Sequence, residues 1–384
     1  MGTAPPPSIV DMNWDMNWQI DRLLYKREKT WGEKILLSPL TFASLPYGLA
    51  IRLRILSYNL GFRRQASLPC PVISVGNITV GGTGKTPLVI TLAKGLLEKG
   101  IPLAILSRGY RGKASSEPVV SDGKKKLLSP EESGDEPFLM AQRLPEVPIL
   151  VGKDRFRTGH MAFERFGVQG ILLDDGFQYL RLHRDLDIVL VDSSLGFGDH
   201  HLLPRGILRE PLSHLRRAHL FLLTKVEDVE ACRPLEKRLR EIHPSSPIFH
   251  SHYEPVGLIG PRGEWEDPPA LKGKKVIALS GIGNPAYFST LLKKMGAEVI
   301  REIIYPDHHT YTTQDLTFLE KNMSGIDRIV ATEKDMVKLN DLHLDPFPVR
   351  SLRIELRIWE REEFFQRVVD VFAQKGGRPI ERTR

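Results

Sequence analysis

Gly81, Gly82, Thr83, Gly84, Lys85 and Thr86 close a glycine-rich run that follows the apolar stretch Val72 to Val75 and precedes a helical pattern through Leu88 to Leu97. A strand, a glycine loop and a helix amino terminus in that order make a phosphate cradle. Backbone N–H groups of such a loop converge on phosphate oxygens, and the helix dipole adds to their pull. Lys85 is suited to neutralise β- and γ-phosphates, and the Thr86 hydroxyl to ligate magnesium. The span Thr79, Val80, Gly81, Gly82, Thr83, Gly84, Lys85 and Thr86 is therefore the expected nucleotide contact, with ATP and Mg2+ as the implied ligands. The strict G-x-x-x-x-G-K-[ST] pattern asks for glycine at 79, where Thr79 stands, so Gly81 and Gly82 must supply the flexibility.

A second acidic element lies downstream. Ile171, Leu172 and Leu173 read as a buried strand that ends in Asp174 and Asp175. Carboxylates at a strand end beside a phosphate loop can reach a magnesium ion, directly or through water. Strand-terminal aspartates also form turns, so it is the loop upstream that directs this pair toward a metal.

The elements that must position these residues alternate. Apolar runs at Leu103 to Leu106, Ile149 to Val151, Ile171 to Leu173, Ile188 to Val191 and Leu220 to Leu223 are mostly followed by turn residues or a helical pattern. Alternating strands and helices predict a doubly wound, mainly parallel α/β sheet of the P-loop NTPase type. A second round, with strands at Val276 to Leu279, Val299 to Ile304 and Ile329 to Ala331, predicts a second, smaller α/β domain. His250, His252, Pro255, Gly257, Gly260 and Pro261 break the pattern between them. The expected division is an amino-terminal extension and helical segment over 1–66, a P-loop kinase domain over 67–250, and a second domain with linker strands and the C-terminal helix over 251–384.

The 384 residues, 41% hydrophobic and 26% charged, suit globular domains and argue against disorder of the whole chain. A net charge of +7 and a pI near 9.2 would serve nucleic acid, anionic lipid or a phosphorylated substrate alike. The cations are scattered and no RNA-binding signature with interleaved aromatics occurs, so nucleic acid is not expected as a partner. Cys70 and Cys232 stand far apart with no metal spacing, which fits a reducing cytoplasm. The acidic, proline-rich start argues against a secretory signal. The tandem Asp11-Met12-Asn13-Trp14 and Asp15-Met16-Asn17-Trp18 is a short local duplication for which the sequence offers no functional account.

Ile35 to Ile51 carries no charge, yet it is shorter than the roughly 20 residues a bilayer span needs, and Pro39 and Pro46 interrupt it. Leu49, Ile51, Leu53, Ile55 and Leu56, edged by Arg52, Arg54, Arg63 and Arg64, suit either the headgroup boundary of a membrane or the protein's own core.

Further segments make the chain resemble one known family, the tetraacyldisaccharide 4′-kinases of Gram-negative bacteria. They are Gly76 to Pro87, Ser107-Arg108-Gly109-Tyr110, Gly134-Asp135-Glu136-Pro137 and Leu173-Asp174-Asp175-Gly176-Phe177-Gln178, then Leu203-Pro204-Arg205-Gly206 with Leu208-Arg209-Glu210-Pro211. Gly281-Ile282-Gly283-Asn284-Pro285, Asp307-His308 and Thr332-Glu333-Lys334-Asp335 complete the set, in order, from about residue 30 to 375.

The resemblance implies transfer of the ATP γ-phosphoryl to the 4′-hydroxyl of a tetraacylated glucosamine disaccharide 1-phosphate, a lipid A precursor. It implies a peripheral enzyme on the cytoplasmic face of the bacterial inner membrane, with an anionic lipid surface and the acylated disaccharide as partners and no obligate protein partner. It also implies that residues 35–64 contact the membrane, and that two α/β/α domains joined by a two-stranded linker hold ATP and acceptor. Asp135 matches the family's base and His308 the histidine that pairs with it. Arg209 and Glu210 match residues near the phosphates and metal, while Arg108, Tyr110 and Glu136 fall on the acceptor side. Read from composition alone, Asp135 would cap a helix and His308 would be a solvated loop histidine. Thr332 to Asp335 could lie near the nucleotide or cap a helix.

Two other readings compete. Gly281 to Ala286 fits G-x-G-x-x-A after a strand, with Glu302 at a distance suited to a ribose contact, as in a dinucleotide-binding domain. Leu223-Thr224-Lys225-Val226-Glu227-Asp228 faintly echoes the guanine-reading loop of a switch GTPase, with Glu227 where that loop would carry aspartate. The triplet Asp307-His308-His309 resembles manganese phosphoesterases, but the further aspartate motifs those need are missing.

Overall fold

The computed structural model describes residues 29–109, 117–340, 342, 344 and 347–376. Its strands are β1 (Val72–Gly76), β2 (Leu103–Ser107), β3 (Val119–Asp122), β4 (Pro148–Val151), β5 (Gly170–Asp174), β6 (Leu186–Asp192) and β7 (Leu220–Thr224). They continue with β8 (Ile248–Ile259), β9 (Trp265–Glu266), β10 (Lys275–Ser280), β11 (Glu298–Ile304), β12 (Arg328–Thr332) and β13 (Val349–Ile358). The chain forms two compact units, one reaching to Tyr253 and resuming at Leu356, the other covering Glu254–Glu355.

In the larger unit the strand order is β8-β7-β6-β1-β5-β2-β4-β3. Neighbours are parallel except β3, which runs antiparallel to β4. Strands β1, β2, β5, β6 and β7 are buried along their whole length, which is why they read as unbroken Val/Ile/Leu runs rather than as alternation. From β1 the chain moves to β2 on one side, and later to β6 on the other. Strand order therefore reverses at β1, and loops leaving the carboxyl ends there diverge to open a crevice. Strand β5 lies directly beside β1, with Val75 level with Asp174, so the aspartate pair and the glycine loop leave the same edge.

The smaller unit carries the parallel order β11-β10-β12-β13. The far end of β8 pairs there with β9 through Leu258–Glu266 and Ile259–Trp265. Ile277, Leu279, Ile329 and Leu319 lie in its core.

The C-terminal helix, Arg361–Gly376, belongs to the larger unit, whereas the sequence grouped it with 251–384. Two seats explain its return. A Cβ on Gly95 would lie 2.2 Å from the Phe365 ring, and one on Gly170 would lie 2.5 Å from the Phe372 ring, so only glycine lets the aromatic rings settle on those elements. Beyond them, the Lys375 ammonium donates to the Cys70 carbonyl at 2.9 Å and to Asp185 at 2.8 Å.

The amino-terminal segment forms two helices, Trp31–Leu36 and Ser38–Asn59. Thr30 and Glu33 cap the first reciprocally. One face of the longer helix is docked: Ser44 Oγ donates to the Leu202 carbonyl at 3.0 Å, Tyr47 Oη to the Arg209 carbonyl at 2.9 Å, and Gly48 abuts Leu202. Phe42, Leu45, Leu49, Leu53, Leu56 and Leu60, at spacings of three and four, are exposed, as are Trp31, Ile35, Leu36 and Phe62. Among the described residues no helix is long and apolar enough to cross a membrane.

Candidate active site

Between Gly76 and Lys85 the loop is bent by glycines where no side chain fits. Gly81 and Gly84 adopt φ of 105° and 95°, and a Cβ at Gly84 would meet the Tyr253 hydroxyl at 2.1 Å. Thr79, where the strict pattern asks for glycine, bridges antiparallel to Leu208. The strap consists of Val80 N–H to the Ile207 carbonyl at 2.8 Å and Arg209 N–H to the Ile78 carbonyl at 2.7 Å. Inside the turn the buried Asn77 amide donates to the Thr79 carbonyl at 2.8 Å and to Thr83 Oγ1 at 2.9 Å. Gln178 Nε2 in turn donates to the Asn77 carbonyl at 2.8 Å. Lys85 and the half-buried Thr86 open the helix Lys85–Glu98.

Asp175 is the meeting point of the charges. Its carboxylate lies 3.5 Å from Lys85 Nζ and 2.9 Å from Arg209 Nη1 through both oxygens. Burial alone would raise its pKa, but Lys85 and Arg209 outweigh burial and hold the carboxyl far below the usual range. The residue sits at φ 52°, an uncommon backbone state for aspartate that turns its side chain toward those cations.

Asp174 is in the opposite condition. It is buried at the end of β5, accepts Ser107 Oγ at 3.1 Å on Oδ2, and has no hydrogen-bond partner on Oδ1 among the described residues. Burial, with the charges of Glu136 and Asp175 nearby, pushes its pKa up to about 7. A buried carboxylate oxygen without a hydrogen-bond donor is costly unless it is paired with or coordinates a cation. The donor set here (Thr86, Asp174 and Asp175 at the mouth of a phosphate loop) is all oxygen and fits magnesium.

The remaining expected residues fall into several groups. Asp135 opens the helix Asp135–Arg143 behind Gly134, is 7% exposed, and accepts the Glu136 N–H at 3.0 Å. Glu136 acts on Asp174 through its charge, which puts this loop at the same rim. Arg108 follows Ser107 off β2 and is exposed; Tyr110 lies outside the described residues. Glu210 has partners the sequence did not suggest: its Oε2 accepts His214 Nδ1 at 2.9 Å and Arg217 Nη2 at 2.6 Å. Burial would raise the Glu210 carboxyl, and these partners lower it instead, so a metal there would share the carboxylate with His214 and Arg217.

His308 belongs to the smaller unit, at φ 61°. Lys334 Nζ stands 3.3 Å from its Nε2 and 3.0 Å from Asp307 Oδ1. The Thr332–Asp335 motif thus does three things. Thr332 caps the helix Glu333–Leu339, and the fully buried Asp335 accepts from Gly281 N–H at 3.0 Å and Tyr311 Oη at 3.0 Å, while Lys334 turns to the histidine.

Arg155 was not anticipated. It is 5% exposed, donates to the Asp174 carbonyl at 3.2 Å, and rests over the Tyr179 ring. Its one sequence signal is position, at the start of the helix Arg155–Phe166 that follows β4; nothing in its type says that it turns inward. The competing motifs are occupied locally. Glu302 accepts Ser289 Oγ at 2.6 Å from the helix that follows Gly281–Ala286. Asp228 caps its own helix through Glu230 N–H at 3.0 Å.

The raised Asp174 carboxyl has a measurable consequence. The unfolded chain gives up this proton near pH 3.9, roughly the free-aspartate value, whereas the folded protein keeps it up to about 7. Between those limits the folded state binds more protons, so stability of the metal-free protein falls as pH rises through that window. Thermal unfolding in chelator from pH 4 to 8 should show that decline in the unmodified protein and a flatter profile in Asp174→Asn. Identical profiles would refute the assignment.

The chain is similar to known proteins along most of its length. Residues 34–373 match the family model described as tetraacyldisaccharide-1-P 4′-kinase. A tetraacyldisaccharide 4′-kinase of Syntrophus aciditrophicus is 42% identical over 347 residues, covering 85% of this chain and 91% of the relative. One from an Anaeromyxobacter species is 37% identical over 361 residues, covering 93% and 97%. Among solved structures, LpxK from Aquifex aeolicus in complex with ATP matches with a TM-score of 0.69 at 34% identity, over 88% of this chain and 99% of that one. With a phosphate loop facing an aspartate pair and likeness along nearly its whole length, the chain belongs to the tetraacyldisaccharide-1-P 4′-kinase family.

Proposed function

We propose that this enzyme moves the γ-phosphoryl group of ATP onto the 4′-hydroxyl of a tetraacylated glucosamine disaccharide 1-phosphate while seated on the cytoplasmic face of the inner membrane. The observation that carries the reading is the convergence of Lys85 and Arg209 on Asp175 at the mouth of the glycine loop, beside a buried Asp174 oxygen with no donor among the described residues. Loop N–H groups and Lys85 hold the β- and γ-phosphates, and Arg209 offsets charge on the transferred group. Thr86 with Asp174 and Asp175 would hold magnesium, whose charge stabilises the phosphate oxygens. Glu210, braced by His214 and Arg217, keeps the segment bearing Arg209 in place. Asp135 accepts the proton of the acceptor hydroxyl as the new O–P bond forms and the bond to the β-phosphate oxygen breaks. His308 is assigned to the same proton transfer, while Arg108, Glu136 and Tyr110 are assigned to the acceptor.

The lipid surface is assigned to the exposed row Phe42, Leu45, Leu49, Leu53, Leu56 and Leu60, with Arg52, Arg54, Arg63 and Arg64 meeting anionic headgroups. Each such side chain gains about 1.5–3 kcal/mol when taken out of water, so a few suffice for reversible attachment.

Transfer of label from γ-labelled ATP to the disaccharide acceptor in detergent tests the reaction itself. Lys85→Ala should lower the rate by about two to three orders of magnitude; turnover that survives would remove the loop from the chemistry. Asp135→Ala and His308→Ala should each cut kcat with ATP affinity kept, and the double variant should be no worse than the poorer single. Losses that multiply would show separate roles.

The surface has its own test. Leu49→Asp with Leu53→Asp alters only exposed positions, so the circular dichroism spectrum should stay as it was while sedimentation with anionic phospholipid vesicles drops severalfold. Undiminished sedimentation would take this row off the membrane.

A further inference from the structure

We infer that Lys225 is a positioning residue for ATP binding, acting on the phosphate loop from behind rather than touching the nucleotide. The inference rests on the loop being the ATP site. Lys225 follows β7, is 4% exposed, and adopts φ 58°, a backbone state few lysines take. Its ammonium donates to the Gly82 carbonyl at 2.9 Å and pairs with Asp192 Oδ2. Beside it Thr224 Oγ1 donates to the Thr83 carbonyl at 2.9 Å. Two successive carbonyls of the loop are thus drawn to one side.

A trans peptide carries its N–H opposite to its C=O. Holding the Gly82 and Thr83 carbonyls against Lys225 and Thr224 therefore aims the N–H groups of Thr83 and Gly84 away from that wall. Thr83 N–H closes a tight turn on the Gly81 carbonyl at 3.0 Å, which helps curl the loop. The other flank is fixed by the strap from Ile207 and Arg209 to Val80 and Ile78. Asp192 is itself held in place: its Oδ1 accepts Ser194 N–H at 2.9 Å and Leu195 N–H at 3.3 Å.

A buried Lys–Asp pair alone adds little net stability, because desolvation offsets the attraction, and neutral residues of similar volume serve as well. What a neutral substitute cannot supply is the charged donor on Gly82. That difference separates a positioning role from a structural one.

ATP affinity, kcat and thermal unfolding would be measured for the full-length protein, Lys225→Met, and Lys225→Met with Asp192→Asn. The unmodified protein is measured first: failure there to bind ATP would overturn the reading of the loop, and with it the role of Lys225 that rests on that reading, whereas the variants test Lys225 alone. Lys225→Met leaves Asp192 buried without its cation and should unfold at lower temperature. Asp192→Asn relieves that charge while keeping an acceptor for Ser194 and Leu195, so the double variant should regain most of the midpoint. Its ATP Kd should nonetheless stay raised about tenfold, as expected for losing a charged hydrogen bond, with kcat at saturating ATP changed far less. Recovery of ATP affinity together with the midpoint would reduce Lys225 to a structural residue. Unaltered affinity in Lys225→Met would also overturn the inference.

Discussion

The carboxylate of Asp175, held between Lys85 and Arg209, is the constraint on which the rest of the site depends. Three segments that are distant in sequence meet there: the helix after the glycine loop, the end of β5, and the strap that crosses the loop. Without nucleotide, two cations gathered in one place would repel each other. The aspartate between them lets the site stay assembled, and its position one residue beyond a strand level with β1 follows from the sheet order. Charge in this site is thus set out before phosphate arrives, and little reorganisation remains for the moment of transfer.

Asp174 and Asp175 show how one sequence step separates two electrostatic roles. Asp175 turns toward Lys85 and Arg209 and stays ionised. Asp174 remains in the strand, buried among other carboxylates, and holds its proton to about pH 7. The adjacent letters are identical, and the difference comes from where the strand ends.

Much of this was legible in the sequence because its signals are local. The glycine loop, the apolar strand runs and the paired aspartates act within a few residues of themselves, and the buried parallel strands leave a plain trace in composition. The strap did not, since nothing in Ile207 to Arg209 says that it will pair with Ile78 to Val80. Arg155 was missed for the same reason: an arginine reads as exposed until the fold puts a carbonyl and a tyrosine ring around it. Glu210 was assigned by likeness to the metal, but its histidine and arginine partners lie on the next turn of chain, at spacings that many surface residues share. The return of the C-terminal helix also escaped notice, because its seats are glycines, and the absence of a side chain leaves no positive signal. Tyr110 lies outside the described residues.

That return has a consequence for how the chain is made. Synthesis proceeds from the amino terminus, and domains generally fold as units while the chain emerges. Here the residues from Glu254 to Glu355 form their own unit, whereas the one begun earlier waits for Leu356 onward. The unit started first is therefore the one finished last. Until Phe365 and Phe372 reach Gly95 and Gly170, apolar surface on the nucleotide-binding half stays open to water. A ribosome that stops short of the final helix would thus release a chain whose smaller unit is complete and whose larger unit is not.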